Sequence, residues 1–394
     1  MRITDRALNR ATLARQLLLD RESLDTVQGV RRVVALQAQQ PASPYIALWN
    51  RLTDFDPTTL DEALSARVLV RSTLMRITLH TVHADDYTPF REAMEPTLRG
   101  SRLHDRRFTT TGLTPTDADT LLPALLEHAA RQPRSAAELK TWLEEYVSDR
   151  PDVHLETSAH RLLRQYAPLW HVPTGAPWSF LPDTRQSYVT ATPRPTLTDP
   201  DTAATGLQTL ILRYLEGFGP ATAADMAQFA LVHRPRTKAA VQALTEADKL
   251  VQLPAPDGKS VLYDLPDAPR PPSDVPAPPR LLPMWDSTLL AHADRSRFLP
   301  PEYRKYVTRV NGDVLPTVLV DGYVAGIWRP LAEGVEVTPF RPLPAPVWEA
   351  LAAEAAALHT FLADRDPTPY RRYDHWWTKP LPDTAGTTRL LPGG

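Results

Sequence analysis

The 394-residue chain contains no cysteine, only six lysines (Lys140, Lys238, Lys249, Lys259, Lys305 and Lys379) and 15 glycines. Without thiols there is no disulfide framework, thiolate zinc site, iron–sulfur centre or cysteine nucleophile. Any chemistry falls to other side chains. No run of eighteen apolar residues occurs, and the opening Met1-Arg2-Ile3-Thr4-Asp5 lacks the apolar stretch of a signal peptide, which predicts a soluble cytoplasmic protein with no membrane partner. There is no Walker loop, no Gly-x-Gly-x-x-Gly and no nucleophile elbow, so no nucleotide cofactor is expected. His80 and His83 have no third ligand at useful spacing, so no metal is expected either. An excess of one charge is also missing: 44 Lys and Arg face 46 Asp and Glu, and a polyanionic partner would need basic residues gathered on one face.

Apolar periodicity predicts helices from Leu8, Leu13 and Leu17 and then from Leu24, Val27, Val30, Val34 and Leu36, the second capped by Ser23. From Val68 to His83 the pattern becomes strand-like, with Arg76, Thr78 and His80 on one side. Helices followed by a strand pair is the order of a winged helix. The order recurs: helices over 135–150, capped by Ser135, and 156–168 precede strands at 169–172 and 187–189. Helices over 207–217, 222–232 and 236–250 precede strands at 250–253 and 261–265. Gly219 and Pro220 end one helix and Thr222 caps the next. The chain therefore divides into winged-helix units at 1–110, 115–195 and 205–266. A linker over 267–280 follows, in a stretch with seven prolines between Pro266 and Arg280. Residues 281–394 hold strands at 307–310, 314–320, 323–328 and 335–340, turned by Asn311-Gly312 and Asp321-Gly322 as type I′ hairpins. A closing helix over 346–363 and an irregular tail from Arg365 complete the reading. The fold class is α+β, mostly helical: three tandem winged-helix units forming a concave DNA-binding surface, plus a C-terminal antiparallel β meander.

Arg99, Arg102, Arg106 and Arg107 place four positive charges in nine residues against Asp105, and Arg71, Arg76 and His80 lie on the first wing. These suit phosphate contacts, the alternative being a solvated face. The tail Arg371-Arg372-Tyr373-Asp374-His375-Trp376-Trp377 either stacks on bases or, the favoured reading, packs its tryptophans on the protein. Leu36-Gln37-Ala38-Gln39-Gln40-Pro41 ends an apolar helix. Pro41 pushes Gln40 out of α geometry, and an extended segment would point Gln37 and Gln39 at one spot. A solvated, glutamine-rich helix end is the other reading.

Taken together, Leu36-Gln37-Ala38-Gln39, Met75-Arg76-Ile77-Thr78-Leu79-His80, Tyr214 to Asp225, Leu282-Pro283-Met284-Trp285-Asp286, Asp294-Arg295-Ser296-Arg297 and Asp321-Gly322 resemble the tandem winged-helix DNA glycosylases of the AlkZ/YcaQ type. The resemblance spans nearly the whole chain. It implies a glycosylase that hydrolyses the N-glycosidic bond of N7-alkylguanine and related cationic alkylpurines and unhooks interstrand crosslinks of the azinomycin type, in repair or antibiotic self-resistance. It also implies Gln37 and Gln39 as the catalytic pair, where other members carry Asp in place of Gln39. A neutral amide can orient water but is a weak catalytic group, which suits a base that already carries positive charge and leaves neutral. With no lysine near the motif, no lyase step is expected. The resemblance also implies a DNA-probing hairpin, for which Arg309-Val310-Asn311-Gly312 is the candidate, bringing Arg309 and Asn311 into contact with duplex DNA. The expected partner is double-stranded DNA with alkylated or crosslinked purines, bound by a monomer. The rival readings are a non-catalytic winged-helix regulator, which would bind undamaged sites as a dimer, and a scaffold without affinity for DNA.

Overall fold

The computed structural model describes residues 3–174 and 186–392. Its strands form three antiparallel sheets. β1 (Leu36–Gln37), β2 (Leu69–Thr73), β3 (Leu79–His83), β4 (Leu169–Pro173) and β5 (Gln186–Thr190) make one sheet in the order β1-β3-β2-β4-β5. The first two predicted wings are therefore one sheet, joined where Arg71 of β2 sits opposite His171 of β4. The loop between β4 and β5 lies outside the described residues. β6 (Val251–Pro254) and β7 (Val261–Asp264) form a two-stranded sheet, with Tyr263 of β7 also bridging to Ala221. β8 (Arg280–Leu282), β9 (Thr317–Val320), β10 (Tyr323–Leu331), β11 (Gly334–Pro339) and β12 (Arg389–Pro392) form the C-terminal sheet.

Local signals are realised closely. Ser135 caps Ala136–Tyr146 in a reciprocal box with Glu138, and Thr222 caps Ala223–Ala230 with Asp225. Gly219 ends Pro200–Phe218. Four expectations need correction. The helix Thr26–Val33 is capped by Asp25, whose carboxylate accepts from the Gln28 N–H, and not by Ser23. Val307–Val310 is not a strand: Val307 ends a short helix from Arg304, and only Thr308 bridges to Val314. The Asn311-Gly312 turn has positive φ at Gly312 alone, so it is not type I′, whereas Asp321 and Gly322 both have positive φ, as that turn requires. The tail is not wholly irregular, because β12 pairs with the edge of β11.

Among the described residues, apolar side chains collect in two large cores and a small cluster of Leu8, Ala255 and Leu262. In one, Phe90, Met94 and Leu98 of the helix Ala84–Leu103 pack against Leu207, Leu210 and Tyr214 of Pro200–Phe218. The crossing is close: a Cβ at Gly206 would lie 2.5 Å from the Pro89 carbonyl oxygen. The other core unites the two ends of the chain, with Leu13, Leu17 and Leu18 joining Trp328, Val337, Leu351 and Leu358. The proline-rich stretch is strapped to the body by the first helix, Asp5–Arg15, where Arg6, Arg10 and Arg15 donate to the carbonyls of Ser273, Val275 and Pro269.

The Asp321-Gly322 turn is held in the same place. Arg6 and Arg10 both pair with the Asp321 carboxylate. Gly322, at φ +80°, leaves a Cβ only 2.6 Å from Asn9 Oδ1 and 2.7 Å from Arg10 Nη1. Gly322→Ala should therefore lower stability by about 2 kcal/mol or more, combining left-handed strain with a clash. A urea midpoint equal to that of the native protein would contradict this.

Candidate functional site

The glutamine segment owes its shape to an early helix stop. Val34 takes φ 75° immediately after Thr26–Val33, seven residues ahead of Pro41, and the chain enters β1 extended. Leu36 and Gln37 lie opposite Thr81 and His80, and the Ala38 N–H donates to the Leu79 carbonyl at 2.7 Å. Alternation in an extended chain turns residues two apart to one side. Gln37, 5% exposed, and the exposed Gln39 both line one cavity of about 750 Å3. Gln40 turns away: its Oε1 accepts from Ala42 N–H and its Nε2 donates to the Pro369 carbonyl.

Arg76 lies in the turn Met75–Ile77 between β2 and β3, in a left-handed conformation (φ 53°). Its Nη2 donates to Gln37 Oε1 at 2.8 Å and lies 3.2 Å from His80 Nε2, while Nη1 donates to the Phe229 carbonyl at 3.1 Å. The guanidinium also sits 5.3 Å from the Phe229 ring centroid. Burial, reinforced by Arg295, lowers its pKa to about 10, so it remains a cation at neutral pH. His80 is fully buried, and desolvation together with the Arg76 charge pushes its pKa down to about 3. The neutral ring donates from Nδ1 to the Thr78 carbonyl (3.1 Å) and accepts from Arg76 at Nε2.

Two expected phosphate contacts are thereby corrected. Arg71 is 4% exposed and donates to the Ala38 carbonyl at 2.8 Å, and His80 is wholly enclosed. Both support the strand that carries Gln37, because β2 and β3 are interior strands of the five-stranded sheet. His83 caps the following helix by accepting from the Asp85 N–H, and among the described residues no group of three His, Cys, Asp or Glu could hold a metal.

Other walls of the cavity come from distant parts of the chain. The helix Thr157–Tyr166 supplies Arg161, Arg164 and Gln165, and β4 and β5 supply His171 and Tyr188. The C-terminal region contributes Trp285, Arg295, Asn311, Asp313, Arg372 and Tyr373. Arg164 lies 4.8 Å from the Tyr188 ring centroid, and Arg295 donates to Thr308 Oγ1 at 3.1 Å. Among the described residues, five arginines against one aspartate give the lining a positive field. Arg161, Arg164, Arg295 and Arg372 were not among the expected DNA contacts. The spacing of Arg161, Arg164 and Gln165 on one helical face was the available signal.

Arg102, Arg106 and Arg107 do not line this cavity. Arg102 is half-buried and Arg107 pairs with Asp105 at 2.7 Å, while Arg106 is exposed. Arg309 does not project from its turn: the guanidinium lies 5.2 Å from the Trp376 ring centroid and donates to the Trp376 carbonyl. The tip is Val310, fully exposed, and the adjacent Asn311 lines the cavity. Trp376 donates from Nε1 to Asp313 Oδ2 at 2.7 Å, and Trp376 and Trp377 both pack against the second core. The tail tryptophans thus face the protein, as favoured.

Guanidinium groups gathered around one chamber suit a polyanion, and with amides on its wall the class that fold and site define is an enzyme acting on DNA. The family described as DNA glycosylase AlkZ-like matches residues 30–361, and the chain belongs to that family. It is 25% identical over 352 residues to an interstrand DNA cross-link repair glycosylase of Streptomyces sahachiroi, covering 83% of this chain and 88% of that protein. The solved structure of the Streptomyces sahachiroi DNA glycosylase AlkZ superposes with a TM-score of 0.76 at 22% identity, covering 93% of this chain and 99% of the other. That second likeness concerns the fold. No helix among the described residues is long and apolar enough to cross a membrane.

Proposed function

We propose that this DNA glycosylase hydrolyses the N-glycosidic bond of N7-alkylguanine and related cationic alkylpurines in duplex DNA, interstrand crosslinks included, as a monomer. The observation that carries the reading is that Gln37, at the end of β1, and Gln39, just beyond it, line one arginine-walled cavity. In this reading the amides orient the attacking water and act on the charge developing between sugar and base, a task within reach of neutral groups because the alkylated base needs no proton to leave. Among the described residues no lysine lines the cavity, which supports a monofunctional enzyme that stops at the abasic site.

Residues 1–110, 115–195 and 205–266 act as three winged-helix units around the DNA, with 267–280 as connector and 281–394 as the region bearing the probing turn. The exposed Val310 beside Asn311 is the group that enters a groove, while Arg161 and Arg164 meet phosphates near the lesion. Arg106, with Arg102 and Arg107, extends the phosphate path. Arg161→Ala and Arg164→Ala should each reduce the slope of log affinity against log salt by about 1, and Arg106→Ala tests the outer path in the same way. An unchanged slope would remove that residue from the interface.

The decisive experiment incubates the protein with duplex DNA carrying N7-methylguanine, and separately with a guanine–guanine crosslinked duplex, scoring free base and alkali-labile sites. Release of base, with strand breaks only after alkali, is expected. Tight, sequence-selective binding to undamaged duplex without release would instead indicate a regulator.

A further inference from the structure

The Arg76 contact constrains the chemistry of Gln37 more tightly than its place in the cavity does. A guanidinium has five N–H donors and no acceptor, so the Gln37 atom lying 2.8 Å from Arg76 Nη2 must be the carbonyl oxygen. Arg76 cannot turn away easily. Its other nitrogen donates to the Phe229 carbonyl, its plane is held near the Phe229 ring, and Nη2 also donates to the buried His80. His80 is itself fixed by the Thr78 carbonyl at Nδ1. With its oxygen turned to a cation, the amide offers its NH2 end to the cavity, and the adjacent charge sharpens that N–H as a donor.

We propose that Arg76 is a positioning residue that orients Gln37 as a hydrogen-bond donor to the departing purine, leaving the exposed Gln39 to hold the water. The proposal rests on the glycosylase reading and divides its two amides. As the C1′–N9 bond breaks, its electron pair flows into the cationic imidazole ring of the alkylated base. The base leaves neutral, with more electron density on its N3 and O6 acceptors. Water oxygen bonds to C1′ and its proton passes to solvent. A donor aimed at an acceptor gaining charge is worth more in the transition state than in the ground state. The positive end of an amide would not help the cationic sugar.

Gln37→Glu separates the two roles. It keeps the shape, gains an ion pair with Arg76 and has no N–H. Its single-turnover rate of N7-methylguanine release should fall as far as that of Gln37→Ala, roughly 100-fold or more, with duplex affinity within about threefold. A Gln37→Glu rate equal to or above the native one would overturn the proposal, since a water-holding acceptor is improved by a carboxylate. Arg76→Ala should slow release without altering the salt slope, Arg76→Lys should recover part of the rate, and Gln37→Ala/Arg76→Ala should be no slower than Gln37→Ala alone. Independent, multiplicative losses would also overturn it. If the native protein released no base from either substrate, the glycosylase reading itself would fall. If it did while Gln37→Glu stayed active, only the division of roles would.

Discussion

Single-turnover base release should fall by about 10²–10³-fold in Gln37→Ala and in Gln39→Ala, while affinity for the same duplex stays within a few-fold. The asymmetry follows from where the side chains sit. Gln37 is 5% exposed and held from behind by Arg76, so its removal takes away little surface that DNA could cover. Phosphate attraction comes instead from Arg161, Arg164, Arg295 and Arg372 of the wall, which both variants keep. Gln39 is more exposed, so its loss should affect binding slightly more than that of Gln37. Near-native release in both variants would remove the pair from the chemistry. Loss of binding in step with loss of rate would make them substrate contacts only.

Asp286→Ala should lower stability by about 3–5 kcal/mol. Arg51 donates to both Asp286 oxygens at 2.9 and 3.0 Å, and also to Thr288 Oγ1 and the Ala47 carbonyl, with both side chains of the pair 1% exposed. Removing the carboxylate leaves a guanidinium buried without its counter-charge, far from water. The pair ties the end of the helix Ser43–Trp49 to the segment carrying Trp285, a wall of the cavity, so base release should weaken with stability. Urea midpoints compare the variant with Glu127→Ala, whose partner Arg131 is exposed and whose loss should shift nothing measurable. Equal midpoints for the two variants would show that Arg51 finds other partners or water.

Much of the local structure was legible because it depends on residues within a few positions of each other. The Ser135 and Thr222 caps need only a carboxylate three residues on, and the Asp321-Gly322 turn needs only residues that tolerate positive φ. Ser23 and Asn311-Gly312 misled because several residues nearby satisfy the same rule. At the helix Thr26–Val33 the choice fell to Asp25, and at the turn Asn311 kept a negative φ while its side chain bonded Asp313. The extended course at Gln37 was also open to reading, although its cause is the strained Val34 and pairing with β3, and the strand stops short of Gln39.

What composition, periodicity and motif could establish was the order of elements, the absence of thiol chemistry and the unusual amide pair. These are properties of short stretches and of the inventory of side chains. Tertiary structure alone decided that two wings merge into one sheet, that the N-terminal helix and the C-terminal sheet share a core, and that Arg71 and His80 face inward. It also brought Arg161, Arg164, Arg295 and Arg372 to the glutamines. The physical reason is distance along the chain: whether an arginine meets water, a carbonyl or a phosphate depends on which surface is packed over it. That surface is contributed in large part by residues tens to more than a hundred positions away, such as Ala38 and His171 around Arg71, where no local preference reaches.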